Sequence, residues 1–514
     1  MLSSEELFAR YGDRYRWFAT VTALIGAVSV ILSATIVNVA IPEVMGAFGI
    51  DQTKAQWLST GFLGAMTATM LLTDWAERAL GQRGAVTAAL ALFVFGSVLG
   101  GIAPDENVLI LARVVQGAAA GIVQPLAMVI IFQVFPPEKR GTAMGIFGIG
   151  VVLAPALGPW VGGLLMDSFN WRYVFYLGVP FAGLGALFAN AFLPTRADTG
   201  PRPGFDWLGL GLLSLFLFTL LTALSNGQRT GWSSDIILAE FAISIIALLS
   251  FVWWEHRSSK PMLDLALFMN GPFAAACLVS FVLGAGLFGS TYLLPVFVQT
   301  IQGATPTQAG LLLMPAGFAL VLVFPLAGRL SDVISPGLLV GFGLIIFSYA
   351  SYLTSFANVH TSFWMLAGWT VLSRIGMGLV FPALSVGSLR VLPQALVAQG
   401  SGGINFVRQL GGAFGVNLLA VMLERRTAFH AEALTATQTP DNSATTTLLA
   451  QVAHVNSAAT LPDFQQIPAA ISYLAQVIYL QANTLAYHDG FLITAVLFLL
   501  ALIPNWLLSR ADHG

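Results

Sequence analysis

"LARVVQG", residues 111 to 117, returns as "LSRIGMG", residues 372 to 378, so Arg113 and Arg374 hold equivalent places in two stretches of the chain. Two further echoes keep nearly the same spacing. The loop after each stretch opens on a proline, Pro136 in "FPPEKRG" and Pro393 in "LPQALVAQG", and the turn "DWAER" (74 to 78) aligns with "GRLSD" (328 to 332). Agreement among the offsets marks a duplication. Parallel repeats of six helices are the architecture of transporters whose halves rock about a site near the bilayer midplane.

Composition shows what the repeats are made of. Of 514 residues, 57% are hydrophobic and 9% charged, against roughly 25% charged in a soluble protein. Apolar runs recur from end to end, each of about 20 residues and so able to cross a hydrocarbon core of about 30 Å as a helix. Spans are predicted at 18–40, 57–73, 84–103, 107–132, 143–166, 173–193, 207–225, 236–254, 272–294, 309–328, 338–356, 363–386, 401–423 and 489–508. The expected fold is an all-α polytopic membrane protein with an N-terminal six-helix bundle (1–194), two inserted helices (195–270) and a C-terminal six-helix bundle (271–514). Residues 424–488, with "TATQTPDNSATTT" at 435–447, are expected as a long non-cytoplasmic loop, partly helical or mobile. Connections are usually only about 4–6 residues long.

Basic residues resist translocation and so fix orientation. Of the 22 Lys and Arg, fourteen fall on the side of the N-terminus, five fall opposite, and Arg113, Arg374 and Arg408 lie within spans. Both termini are therefore expected in the cytoplasm and the protein in the cytoplasmic (inner) membrane. The N-terminal "MLSSEELFARYGDRYRW" is too polar and too long to read as a cleaved signal, which makes the first helix an uncleaved anchor.

Other classes drop out. A net charge of −2 suggests no nucleic-acid partner, and the lone Cys277 allows no intrachain disulfide or cysteine metal cluster. "GAGLFG" (284 to 289) matches GxGxxG but has no strand before it and sits in an apolar helix, so it reads as packing. HExxH, GxSxG and Walker sequences are missing from the chain, and its six histidines form no ligand cluster. No enzyme activity, cofactor or metal is expected, so transport must draw on a gradient.

Arg113 is the first functional candidate. An arginine near the bilayer centre costs about 2.5–3.5 kcal/mol on insertion scales, so it must face the bundle interior and find partners. It is either structural, bonded to backbone carbonyls, or a coupling or substrate group. Gln116 and Gln124 share its helical face. Arg374 and Arg408 suit structure and function equally, and Arg408, early in its span, can also snorkel to the surface. Thr35, Asn38, Tyr292, Gln299 and Phe381 are further candidates to line a cavity.

"GIFGIGVVLAPALGPWVGG" (145 to 163) removes side chains at Gly150, Gly158, Gly162 and Gly163, which allows close helix approach. Pro155 and Pro159 each delete a backbone donor. The stretch reads as tight packing or as a kinked hinge that seals one side. Glu77, Arg78, Arg83, Arg329 and Asp332, in the two aligned turns, form a candidate cytoplasmic gate whose charges pair in one conformation and part in the other. Among carboxylates, Glu240 lies well inside a span, in the inserted pair, as a packed acid or a proton site.

"LARVVQGAAAG", "LAPALGPWVGG", "NWRYVFYLGVP", "FDWLGLGLL", "PMLDLALF" and "QANTLAYHDGFLI" together resemble the fourteen-helix drug/proton antiporters of the major facilitator superfamily, the EmrB/QacA type. The similarity runs from the first span to the last. It implies proton-driven export of lipophilic compounds through a cavity between two bundles. It also implies a proton-coupling role for Arg113 and an antiporter signature around Gly158 and Pro159. The implied partners are a small lipophilic substrate, protons, membrane lipids, a periplasmic adaptor docking near 424–488 and an outer-membrane channel.

Three departures stand out. Asp74, Ala76 and Arg78 occupy the Gly, Leu and Asp positions of the family's first cytoplasmic turn, and Gly178 stands where Asn is common. In the first helix, "LSATIVNVAIP" (32 to 42) carries Ser33 where the family has Asp. A proton entering down 100 mV supplies about 2.3 kcal/mol, but only through a group that binds and releases it, and serine does neither. Glu240, Asp74 and Asp489 are the candidate substitutes. The alternative is a carrier of anionic lipophiles, lipids or metabolites with atypical or no proton coupling, in which the substrate supplies the counter-charge that Arg113 lacks.

Overall fold

The computed structural model describes residues 4–196, 203–439, 441–458 and 463–511. Each predicted span falls on a helix. The N-terminal half contains α1 (Arg14–Phe48), α2 (Gln52–Met70), α3 (Thr73–Gly101), α4 (Glu106–Val134), α5 (Arg140–Ser168) and α6 (Gly178–Phe192). The inserted pair is α7 (Trp207–Thr230) and α8 (Asp235–Arg257). The C-terminal half contains α9 (Gly271–Thr300), α10 (Pro306–Val333), α11 (Pro336–Thr354), α12 (Phe363–Arg390), α13 (Val397–Ala436) and α14 (Asp463–Leu500). Among the described residues there is no strand, and 12 helices are long and apolar enough to cross a membrane. The approximate expectation of fourteen is completed by α2 and α5, which are helical but are not among those twelve over their described residues.

Polar residues set the helix ends. Asp105 accepts from the backbone N–H groups of Asn107 and Val108 to start α4, and Thr305 and Gln308 form a reciprocal capping box at α10. Gly49, with φ 64°, ends α1 in the left-handed region where a side chain would be strained.

The segment expected as a long loop at 424–488 is mostly helix. Residues 424–436 continue α13, Ser443–Ala458 forms a helix of its own, and α14 begins at Asp463. Hydropathy marks where the bilayer ends, not where the helix ends. Residues 424–436, "ERRTAFHAEALTA", are rich in helix formers although they are too polar to span. At 1.5 Å per residue, α13 and α14 each run close to 60 Å, about twice the hydrocarbon core, and the two pack together beyond it.

Within the N-terminal half α1 packs on α4, α5 and α6, and in the C-terminal half α9 packs on α13, and α12 on α10 and α11. The halves meet where α5 lies on α10 and α12, and where α13 lies on α2, α3 and α4. The inserted pair stands outside this seam: α7 touches α2 and α13, while α8 packs on α7.

Candidate functional site

Arg113 on α4 is fully buried, at 0% exposure. Its Nε donates to the Leu58 carbonyl at 2.9 Å. Its Nη1 donates to the Gln116 Oε1 at 2.8 Å and to both the carbonyl and the Oγ of Ser33 at 3.2 Å. The guanidinium lies over the Phe62 ring at 4.2 Å, a contact worth about 0.5–2 kcal/mol. Gln116 in turn donates to Ser97 Oγ at 2.8 Å. Among the described residues every partner is neutral, and Nη2 has none. A buried cation held only by dipoles is electrostatically incomplete, since burial without a counter-ion costs several kcal/mol.

Ser33 is thus placed against Arg113, and its hydroxyl accepts a hydrogen bond that an ionised carboxylate there would make with charge. Thr35, on the same helix, bonds back to the Leu32 carbonyl at 3.3 Å and lies against Gly158, where a Cβ would sit 2.4 Å from its Oγ1. Gly150 and Gly162 also face α1, which explains the small residues of that stretch as close packing. The side chains of Asn38, Pro155, Pro159 and Gly163 lie outside the described residues. Gln124 is buried with its Oε1 unpartnered.

In the C-terminal half, Arg374 donates to Thr291 Oγ1 at 3.0 Å and to Met377 Sδ at 3.5 Å. Arg408 does not snorkel. It is buried, donates to Asn405 Oδ1, and stacks over Phe381 at 4.6 Å. Phe381 meets Phe324 edge-on at 5.7 Å. Asn405 reaches across the seam to Met128 Sδ at 3.5 Å. Tyr292 is half-buried on α9, and Gln299 turns back to the Pro295 carbonyl of its own helix.

The gate candidates separate. Asp332 crosses between halves: its carboxylate accepts from Gly141 N at 2.6 Å, from Thr142 N at 3.0 Å and from the Thr142 hydroxyl. These are the orphan donors at the start of α5, where the helix dipole favours an anion. The approach needs glycine, because a Cβ on Gly145 would lie 2.4 Å from the Phe324 carbonyl oxygen. Glu77 instead accepts from Gln82, Arg83 donates to Leu193 O, and Arg78 pairs with Asp74 within one turn, so all three stay in the N-terminal half. Arg329 is exposed. Ser401 Oγ donates to the Pro125 carbonyl at 3.0 Å, a further direct link between halves at the end of the molecule that carries both termini.

The candidate acids are not gathered at Arg113. Glu240 sits on α8, which packs on α7 outside the seam. Asp74 is engaged by Arg78. Asp489, on α14, is held by Arg426 at 2.5 Å and His430 at 2.8 Å on α13. Sequence reasoning missed Phe324, Ser97 and the backbone partner Leu58, which carry no motif and join the site only through packing.

A family model for the Major Facilitator Superfamily matches residues 23–416. The multidrug export protein EmrB of Haemophilus influenzae is 30% identical over 478 residues, covering 93% of this chain and 92% of that one. The uncharacterised transporter YcnB of Bacillus subtilis is 32% identical over 412 residues, covering 79% and 86%. Among solved structures, the human organic anion transporter MFSD10 superimposes with a TM-score of 0.61 at 14% identity, covering 94% of this chain and 99% of that one.

Proposed function

This chain belongs to the major facilitator superfamily, and we propose that it is a secondary active exporter of lipophilic and amphiphilic compounds, driven by the proton gradient and working by rocking of its two halves. The multidrug exporters among its relatives support that reading, as do the duplicated halves and the seam between them. The distribution of Lys and Arg supports a cytoplasmic membrane with both termini inside. The side sealed by Asp332 is then the cytoplasmic one, and the structure corresponds to a state closed there. The helical extension of α13 and α14 stands on the opposite side, where an adaptor protein leading to an outer-membrane channel would dock.

The observation that carries the substrate class is Arg113, buried among neutral partners with Nη2 unpartnered. A substrate with an acidic group supplies the missing counter-charge when the halves open. Export of a fluorescent fatty acid and of rhodamine 6G from proteoliposomes tests this. Arg113→Ala removes charge-assisted hydrogen bonds worth about 1.5–3 kcal/mol each, so it lowers fatty-acid export roughly 10- to 100-fold and leaves the cation less affected. Equal loss of both refutes the assignment. The second reading, a carrier of anionic lipophiles, lipids or metabolites without the usual coupling, is favoured by the neutral Ser33. Proton flux measured alongside substrate distinguishes the two.

A further inference from the structure

Two carboxylates that no motif pairs meet at the cytoplasmic edge of the inserted helices. Asp206 heads α7 and Glu255 lies in the last turn of α8, both buried, with Glu255 only 3% exposed. A Cβ on Gly209 would lie 2.5 Å from Asp206 Oδ2 and 2.8 Å from Glu255 Oε1, so the two oxygens face each other across the space that glycine leaves. Asp206 is well supplied with donors, from Gly209 N at 2.8 Å and from Trp254 Nε1 at 2.9 and 3.0 Å. Glu255 Oε2 accepts from Leu263 N at 3.1 Å, but its Oε1 has no partner. We propose that Asp206 and Glu255 bind a single proton between them, a protonation site that controls the cytoplasmic grip on α13.

The geometry leads there in two steps. Two buried carboxylates that share a site cannot both ionise, because like charges at short range are repelled without water to screen them. A proton on Glu255 Oε1, donated toward Asp206, converts the unpartnered acceptor into a donor and leaves one negative charge on the Asp206 side, where the N–H groups of Gly209 and Trp254 converge. When the proton leaves, the second charge appears beside the first. The cheapest relief is for the ionised Glu255 to move away from Asp206, and the linker at 258–265, whose Leu263 N–H holds the charged Oε2 more strongly, moves with it.

That linker is tied to the transporting halves. Gln399 Nε2, in the first turn of α13, donates to the Met262 carbonyl at 3.4 Å, and its own Oε1 is buried and unpartnered. The segment before α7, which carries Asp206, is tied in turn to the N-terminal half, where Trp75 Nε1 on the α3 turn donates to the Pro203 carbonyl at 3.4 Å. A cavity of about 270 Å³ opens between these elements, with Asp206 and Gln399 in its wall, and gives the proton a path from the cytoplasm. The charged groups around the pair are Asp74 and Arg78 from the α3 turn and Lys260 and Asp264 from the linker, all lining that cavity. On α8 itself, His256 and Arg257 are exposed. From α13 the facing group is the uncharged Gln399.

The site itself stands without the transport reading, whereas its effect on export rests on it. Infrared difference spectra of the purified full-length protein in lipid nanodiscs, recorded between acid and alkaline pH, report protonated carboxyl groups directly. A carboxyl band that titrates in the wild type should be lost in Glu255→Gln, should keep its intensity but move in frequency and midpoint in Asp206→Asn, where Glu255 remains without its partner, and should persist unmoved in Glu240→Gln. Glu255→Asp, which keeps an acid, should retain the band with a displaced midpoint. In proteoliposomes the export of the fluorescent fatty acid should depend on cytoplasmic-side pH in the wild type and lose that dependence in Glu255→Gln. A band that survives Glu255→Gln, or one that Asp206→Asn leaves at the same frequency and midpoint, overturns the shared proton. An unchanged pH profile in Glu255→Gln overturns its control of the grip. Wild-type protein that exports nothing defeats the transport reading, while the infrared result still decides the site.

Discussion

The turns "GRLSD" and "DWAER" occupy equivalent places in the two halves and hold the molecule together in different ways. In the C-terminal half the turn ends on Asp332, whose carboxylate crosses the seam to the first N–H groups of α5. In the N-terminal half the corresponding position is Arg78, which folds back on Asp74 and lines a cavity with Leu396 and Gln399 at the start of α13, carrying the wrong sign of charge to cap that helix. The first turn of α13 is held by the linker after the inserted pair, through Met262 and Gln399. One closure is thus a fixed charge on a helix dipole, and the other is relayed through a segment that a buried acid pair can release. Duplication supplied two latches, and divergence left one resting on a charge and the other on neutral contacts, from Ser401 to the Pro125 carbonyl and from Gln399 to the linker.

The asymmetry can be broken from the direct side first. Asp332→Ala removes the cap on α5, an interaction worth about 1–2 kcal/mol, and shifts the balance toward opening at the end that carries both termini roughly tenfold. Distances between spin labels at the exposed positions Glu138 and Gln394, one on each half, report it as a growth of the longer population. A smaller effect sharpens the contrast. Arg78→Asp places an acid in the cavity beside Leu396 and Gln399, restores the missing dipole partner, and favours the closed state by about 0.3–1 kcal/mol. The same labels should show a gain in the short-distance population of about two- to five-fold. Should Arg78→Asp weaken closure as much as Asp332→Ala does, the two turns are not alternative forms of one device.

Much of this was legible in the residues. Arg113 and Gln116 share a helical face by spacing alone, and the repeat that pairs Arg113 with Arg374 announces two bundles. Asp332 could be singled out as a gate residue because its turn is short and charged, but its partner could not. It meets backbone N–H groups, which every helix start offers, so no side-chain pattern points to them. Asp206 and Glu255 were invisible for a related reason. They belong to the ends of two different helices, and only the packing of α7 on α8 brings their oxygens together. The extension of α13 beyond residue 423 was hidden because hydropathy falls at the membrane surface while helix propensity continues.

Ser33 ties these threads to function. It gives Arg113 a neutral oxygen at 3.2 Å, where a carboxylate would add an attraction of about 4 kcal/mol for unit charges some 4 Å apart in a medium of effective dielectric constant near 20. The direct test is competitive export of the fluorescent fatty acid against rhodamine 6G in proteoliposomes, comparing wild type with Ser33→Asp. Wild type should favour the acid by about tenfold, equivalent to about 1.4 kcal/mol, and Ser33→Asp should abolish or reverse that preference by giving Arg113 an internal counter-ion. A wild type that moves both compounds equally, with no change in Ser33→Asp, would contradict the claim that Arg113 awaits an anion.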